Sequence, residues 1–444
     1  MFASAPPEGA PLHPPRTPRP DAVPLLAAPG VELPGPEGAE EFWARMRERG
    51  TPLIAPDPQG SPDHAAVTFL WRGTEATRAV QVMPNKLGDP RAPEGNLMTH
   101  HPGTDIWHWT LRLRRDWRGT YDFHVDEGDG PEAGAPGYWQ WLRTRRHRDP
   151  LNARLLPRRW GGEAVSWAEI GELRSVSDWE PRPGTPRGRV TEHGVLSEHL
   201  REERRVWLYE PPAPAGDSAG PAELPVLVVL DGEHWQPELG LANLLDNLVA
   251  DGRIPPTAAI LVDSVDSGSR WRDLACSPAH AAFLAQELIP WAARRLPLTD
   301  DPARTVIAGQ SLGGLAATYT ALTAPHRFGN VLVQSASYWW PDGPEPEWLT
   351  GRIAAAPRRP VRFRLSFGEQ EWVALPAARR LRDTLARAGY DHHYREFNGG
   401  HDYLWWRTEM ADGLTGLLGP GVRPVRRSPI RTAGPLTPPP RTPR

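Results

Sequence analysis

Six short runs constrain this 444-residue chain more than anything else in it. They are VLVVL (Val226–Leu230), AAILVD, TVIAGQS, NVLVQSAS, VRFRLSF and HHYREF, all in the second half. The first four hardly alternate between apolar and polar residues, so both faces of each strand must be covered. Stretches with helical periodicity lie between the runs: AAFLAQELIPWAARRL (Ala281–Leu296), LGGLAATYTALTA and LPAARRLRDTLARAGY. Strands buried on both faces and alternating with helices predict a mostly parallel sheet with helices on each side. GVLSEHLREERRVWLYEPP, ahead of them, predicts an antiparallel pair at the start of that sheet.

The first half has a different rhythm. After a predicted helix over Glu40–Gly50 come Ala65–Gly73, Arg78–Pro84, Asp105–Arg114 and Gly119–Glu127, short and rich in β-branched and aromatic residues. Trp107, Trp109, Leu111 and Leu113 repeat with period two, the mark of a half-buried strand. These strands predict a small β-sandwich. Tyr138–Glu163 reads as extended chain leaving it, and DWEPRPGT (Asp178–Thr185) as the linker. The expected layout is a disordered Pro-rich tail over 1–38, a β-sandwich over 39–180, an α/β domain over 186–419 and a disordered Pro/Arg-rich tail over 420–444.

A net charge of -3 argues against a polyanion-binding protein, so no nucleic acid partner is expected. No run approaches a membrane span and no secretory leader is visible, so the expectation is a cytoplasmic protein with no membrane partner. One cysteine, Cys276, excludes an internal disulfide. No metal-ligand spacing, P-loop or dinucleotide fingerprint is present, and no cofactor or metal site is expected. Lys86 is the only lysine among 51 basic residues, a bias read here as codon usage. The 20 tryptophans would suit an aromatic ligand as well as a core.

Chemistry concentrates at the C-terminal ends of the predicted parallel strands. Gly309-Gln310-Ser311-Leu312-Gly313 joins a strand to a helix, the setting of a nucleophile elbow. A serine hydroxyl needs a base. His401, in FNGGHDYLWW, follows the last predicted strand on what reads as a flexible Gly-Gly loop, whereas His392 and His393 fall inside that strand. The third member should follow the preceding strand, where Glu371 is favoured and Glu369 is the alternative. The order Ser, acid, His is that of α/β hydrolases. The amide of Leu312, at a helix N-terminus, is one oxyanion donor, and that of Gly232 or Glu233, after VLVVLD, is the second. Asp231 reads as shaping that turn.

Several stretches in order resemble the enterochelin (enterobactin) esterase family: FWARMRERGTPLI, VTFLWRG, GTDIWHWTLRLRRDWRGTYDFHVDE, DPLNARLLP, RRVWLYEPP, LDGEHW, GQSLGG, QSASYWW and NGGHDYLWWR. The resemblance spans about residues 40–418. It implies an immunoglobulin-like β-sandwich before an α/β-hydrolase domain, and hydrolysis of the serine trilactone of a ferric catecholate siderophore for iron release inside the cell. It implies Ser311 as nucleophile and His401 as base, with Glu371, Glu369 or no acid at all completing the site. Iron then enters only as part of the substrate. A trianionic, three-ringed ligand calls for guanidinium groups and aromatic walls. Arg270, Trp340 and Trp406 are the candidates in this domain, and the resemblance adds Arg72 from the LWRG of the sandwich. Two other readings fit the same residues: an esterase or acyltransferase acting on acylated sugars, and a non-catalytic siderophore-binding protein.

Overall fold

The computed structural model describes residues 17–20, 25–26, 30–89, 91–171, 176–213, 223–341 and 345–421. Two β-sheets form first. β1 (Leu53–Pro56), β2 (His64–Arg72), β3 (Ala79–Pro84), β4 (Thr99–His100), β5 (Ile106–Arg114), β6 (Arg118–Asp126), β7 (Arg146–His147), β8 (Leu155–Leu156) and β9 (Val165–Glu169) follow in chain order. One sheet runs β1-β2-β5-β4 and the other β3-β6-β9-β8, with β7 on the edge of β6. Val67, Phe69, Trp109 and Leu111 of the first sheet meet Val82, Tyr121 and Phe123 of the second in one apolar core. All nine residues of β6 are buried. A strand of an antiparallel sandwich normally shows one face to water. Here the outer face of β6 is covered by the second domain, where the C-terminal helix (Tyr403–Leu418) packs on it.

Two expectations for this half are corrected. Tyr138–Glu163 is not extended chain leaving the domain. It forms a short helix (Tyr138–Leu142), β7 and β8, anchored by buried Asp149, whose carboxylate accepts from Thr51 and Tyr121 at 2.7 Å each. The structureless tail expected over 1–38 is corrected over its described part. Val31 and Leu33 pack against Phe42, Trp43 and Leu53, because these apolar side chains find a groove at the edge of the sandwich. The remaining residues of that tail, and 422–444, lie outside the described residues.

The second domain holds β10 (Arg189–Ser197), β11 (Glu202–Glu210), β12 (Val226–Leu230), β13 (Ala258–Val262), β14 (Thr305–Gln310), β15 (Asn330–Gln334), β16 (Arg362–Gly368) and β17 (Asp391–Phe397). They form one sheet in the order β10-β11-β13-β12-β14-β15-β16-β17. β10 and β11 pair antiparallel, β11 meets β13 antiparallel, and the other neighbours are parallel. β12 to β15 are buried throughout, between two apolar layers of helices. This is the α/β-hydrolase arrangement, with the central strands delivering their C-terminal ends to one crevice. The segment read as a linker is tied to this domain: Trp179 is buried and donates to Arg407 O at 3.1 Å, and Asp178 pairs with Arg253 at 2.6 Å.

Candidate active site

Ser311 occupies the corner between β14 and the helix Leu312–Thr323, with φ 55° and ψ -122°. A non-glycine residue there is strained, and such strain persists only where neighbours enforce it. They do: Ser311 N donates to Gln334 O at 3.1 Å, and Ser337 N donates to Ser311 O at 2.9 Å. The glycine before the serine is a clearance requirement. A Cβ on Gly309 would lie 2.3 Å from Gly313 O, so the helix could not approach the strand. The hydroxyl meets Ser337 Oγ at 3.5 Å. No hydrogen bond joins it to His401 among the described residues. Both side chains line one cavity of about 270 Å³, and such bonds commonly tighten only once substrate is in place.

His401 and Glu371 are paired. Nδ1 of the imidazole lies 2.5 Å from Glu371 Oε2. Oε1 of the same carboxylate accepts from Ser335 Oγ at 2.5 Å and from Gly368 N at 2.9 Å. Ser335 in turn accepts from Trp406 Nε1 at 2.8 Å. The Glu371 carboxylate is buried with both oxygens engaged, so it fixes which imidazole nitrogen carries the proton. Glu369, the alternative, points to the other domain and pairs with Arg114 at 3.0 Å.

The base is also held from the β-sandwich. Asn85, in the turn after β3, accepts from His401 N at 2.9 Å and donates to His401 O at 3.1 Å. That close approach explains the Gly-Gly sequence, which does not make a flexible loop. A Cβ on Gly400 would lie 2.5 Å from Asn85 Oδ1, and one on Gly399 would lie 2.1 Å from Trp405 Nε1. Asp402 caps the C-terminal helix and also accepts from Thr120 N at 3.0 Å. The segment carrying the base is therefore sandwiched between the domains.

The expected substrate contacts divide. Arg270 lines the cavity, held by Asp231 through Nε at 2.9 Å and Nη2 at 2.8 Å. Asp231 does more than shape its turn. It also accepts from Arg159 at 2.7 Å, a residue of the first half that bridges to the second. Burial alone would raise the Asp231 carboxyl, and the Arg159 and Arg270 guanidiniums more than reverse this, holding it well below the usual carboxylate range. Leu312 lines the cavity. Gly232 and Glu233 begin a helical turn at the end of β12, beside the elbow, but neither lines the cavity: Gly232 packs on the backbone of Leu261 and Val262, and the Glu233 carboxylate is taken by Arg159 and Ser264 N.

Three expected contacts are corrected. Arg72 lies on the sheet away from the hydrolase domain, where Asp105 at 2.6 Å and Glu40 hold its guanidinium. Trp340 is buried against Trp348 at 6.3 Å, and its neighbour Trp339 faces the cavity instead. Trp406 is buried behind the base, its ring edge-on to His401 at 4.8 Å, so it supports the site without lining it. Sequence reasoning missed Lys86, Ser337 and Trp372, all in the lining, and Asn85 beneath His401. For Lys86 a signal existed, its uniqueness in composition.

The family model for the enterochelin esterase N-terminal domain matches residues 66–179, and the esterase family model matches residues 197–417. An iron(III) enterobactin esterase of Dickeya dadantii is 33% identical, over 86% of this chain and 93% of that protein. An iron(III) salmochelin esterase of Escherichia coli is 30% identical, over 85% of this chain and 93% of that one. The crystal structure of ferric enterobactin esterase from Salmonella typhimurium superposes with a TM-score of 0.73 at 32% identity, covering 85% of this chain and 98% of that one. The enterobactin esterase of Shigella flexneri, crystallised in the presence of enterobactin, gives a TM-score of 0.72 at 31% identity, covering 86% and 98%. With the same two domains matched in the same order over most of both chains, this protein belongs to the enterochelin esterase family.

Proposed function

We propose that this chain is a serine esterase that opens the trilactone backbone of a ferric catecholate siderophore, releasing iron inside the cell. The observation that carries the reading is the pairing of His401 with a buried Glu371 in the cavity that holds Ser311. Full-length similarity to iron(III) enterobactin esterases supports the substrate class.

In this reading His401 takes the proton of Ser311 as its Oγ attacks a lactone carbonyl carbon. Negative charge on the carbonyl oxygen is met by the amide of Leu312, which lines the cavity. Collapse breaks the ester bond, and His401 returns the proton to the departing seryl hydroxyl. Water then adds to the acyl-enzyme with His401 as base, and Ser311 leaves with a free carboxylate as the other product. Glu371 stabilises the imidazolium at each turn. Iron is cargo of the substrate. The cavity, about 270 Å³, falls below the roughly 300–1,000 Å³ of drug-sized ligand sites, so one arm of the substrate enters while the rest lies on the rim.

The test is chromatographic. Protein incubated with ferric enterobactin should yield linear trimer, dimer and monomer of dihydroxybenzoylserine, and Ser311→Ala protein should yield none. Products that persist in that variant would sink the mechanism. No products at all, alongside hydrolysis of a simple aryl ester, would move the substrate to another lactone or an acylated sugar.

A further inference from the structure

The one lysine of this chain stands in the cavity. Lys86 follows Asn85 in the turn after β3, with φ 61°, so the β-sandwich delivers it to a site whose chemistry belongs to the other domain. The other 50 basic residues are arginines. A drift that strong replaces lysine wherever a guanidinium serves equally well. The position that keeps an ammonium is one of the twelve lining this cavity.

The two lining cations differ in their partners. Arg270 spends both arms of its fork on Asp231. Lys86 has no carboxylate partner among the described residues, and its ammonium stands 5.7 Å from the ring centre of Trp372, next in sequence to the acid. The guanidinium of Arg19 lies over the same indole at 5.4 Å. A second planar guanidinium would stack on that ring, whereas an ammonium is a compact point charge on a mobile stem with three rotatable donors. Trp271, Trp339 and Trp372 supply aromatic walls around it.

Resting on the function proposed above, we infer that Lys86 is the residue that reads the charge of the substrate. Its ammonium pairs with catecholate oxygens, which are anionic when iron is bound and protonated, hence neutral, when it is not. The chain therefore favours the iron-loaded trilactone over the iron-free one through a residue of the β-sandwich.

The test is a binding titration in Ser311→Ala protein, following tryptophan fluorescence with ferric and with iron-free enterobactin. Adding Lys86→Met should lower the ratio of the two affinities about tenfold. It should also flatten the salt dependence of ferric binding, since screening acts on that charge pair. Lys86→Arg should keep the ratio while weakening both ligands, because the charge stays and the head group lies on Trp372. The Lys86 side chain is exposed and makes no hydrogen bond among the described residues, so neither variant threatens the fold. A ratio unchanged in Lys86→Met, or lost equally in Lys86→Arg, overturns the inference. Hydrolysis by the unmutated chain is scored separately. Its absence beside an intact affinity ratio would overturn the esterase reading and leave the role of Lys86 standing.

Discussion

The cavity has two walls built in opposite ways. On the hydrolase side Ser311 is fixed by its own sheet: a buried strand ends, a helix begins, and backbone hydrogen bonds to Gln334 and Ser337 hold the corner. On the sandwich side Asn85 and Lys86 sit in a turn far away in sequence, and Asn85 meets His401 through side-chain hydrogen bonds across a domain boundary. The first wall gives a nucleophile that any intact sheet would hold. The second gives alignment of the base, and through Lys86 a cation, both of which depend on docking. Bond-making groups can thus be inherited with a fold, while positioning is a property of the pair of domains.

Substitutions on the two walls should separate these contributions. Ser311→Ala should lower kcat by about 10⁴- to 10⁶-fold with ferric affinity retained, measured by product release and binding. Glu371→Gln keeps the shape and the contacts of Oε1 but presents the wrong partner to Nδ1, so kcat should fall about 10³- to 10⁴-fold. A loss under tenfold would mean a Ser–His pair suffices.

The C-terminal helix belongs to both walls, and Glu409 on it carries a pH signature. Burial pushes its carboxyl up to about 7. A carboxyl raised above its unfolded value costs nothing below about pH 4.5; the cost accumulates as pH rises from there to about 7 and is complete above it. That cost is worth about 3 kcal/mol. Urea midpoints of the native chain should therefore decline between pH 5 and pH 8 more steeply than those of Glu409→Gln. Parallel pH profiles for the two proteins would remove Glu409 as the cause.

Asn85→Ala removes both side-chain hydrogen bonds to the His401 backbone and should cut kcat about 10- to 100-fold while leaving KM within a factor of about two. An unchanged kcat would mean the hydrolase domain aligns its base alone. The smallest effect is expected at Arg72→Ala, within about twofold on either constant, because Asp105 and Glu40 hold that guanidinium away from the cavity. A tenfold rise in KM there would restore it as a substrate contact.

The strand pattern, the elbow and the order of Ser311 and His401 were legible because period and turn chemistry are local. The choice between Glu369 and Glu371 was not. Two residues apart in one loop, they face opposite ways, one to Arg114 of the sandwich and one to the imidazole. Trp339 and Trp340 are adjacent in sequence and only the first reaches the cavity, so a cluster of tryptophans marked the region without marking the ring. Asn85 was invisible for a different reason, since its partner lies 316 positions away. The two glycines before His401 read as freedom, yet they are clearances, Gly400 for Asn85 and Gly399 for Trp405.

Because the β-sandwich precedes the hydrolase domain in the chain, it is synthesised first, and domains fold largely in that order. The turn that receives His401 can therefore be finished before His401 exists. The base arrives with the last stretch of the fold, between β17 and the C-terminal helix, and only then do Ser311 and its partners share a cavity. A chain interrupted before that point carries the strained Ser311 corner without His401 beside it.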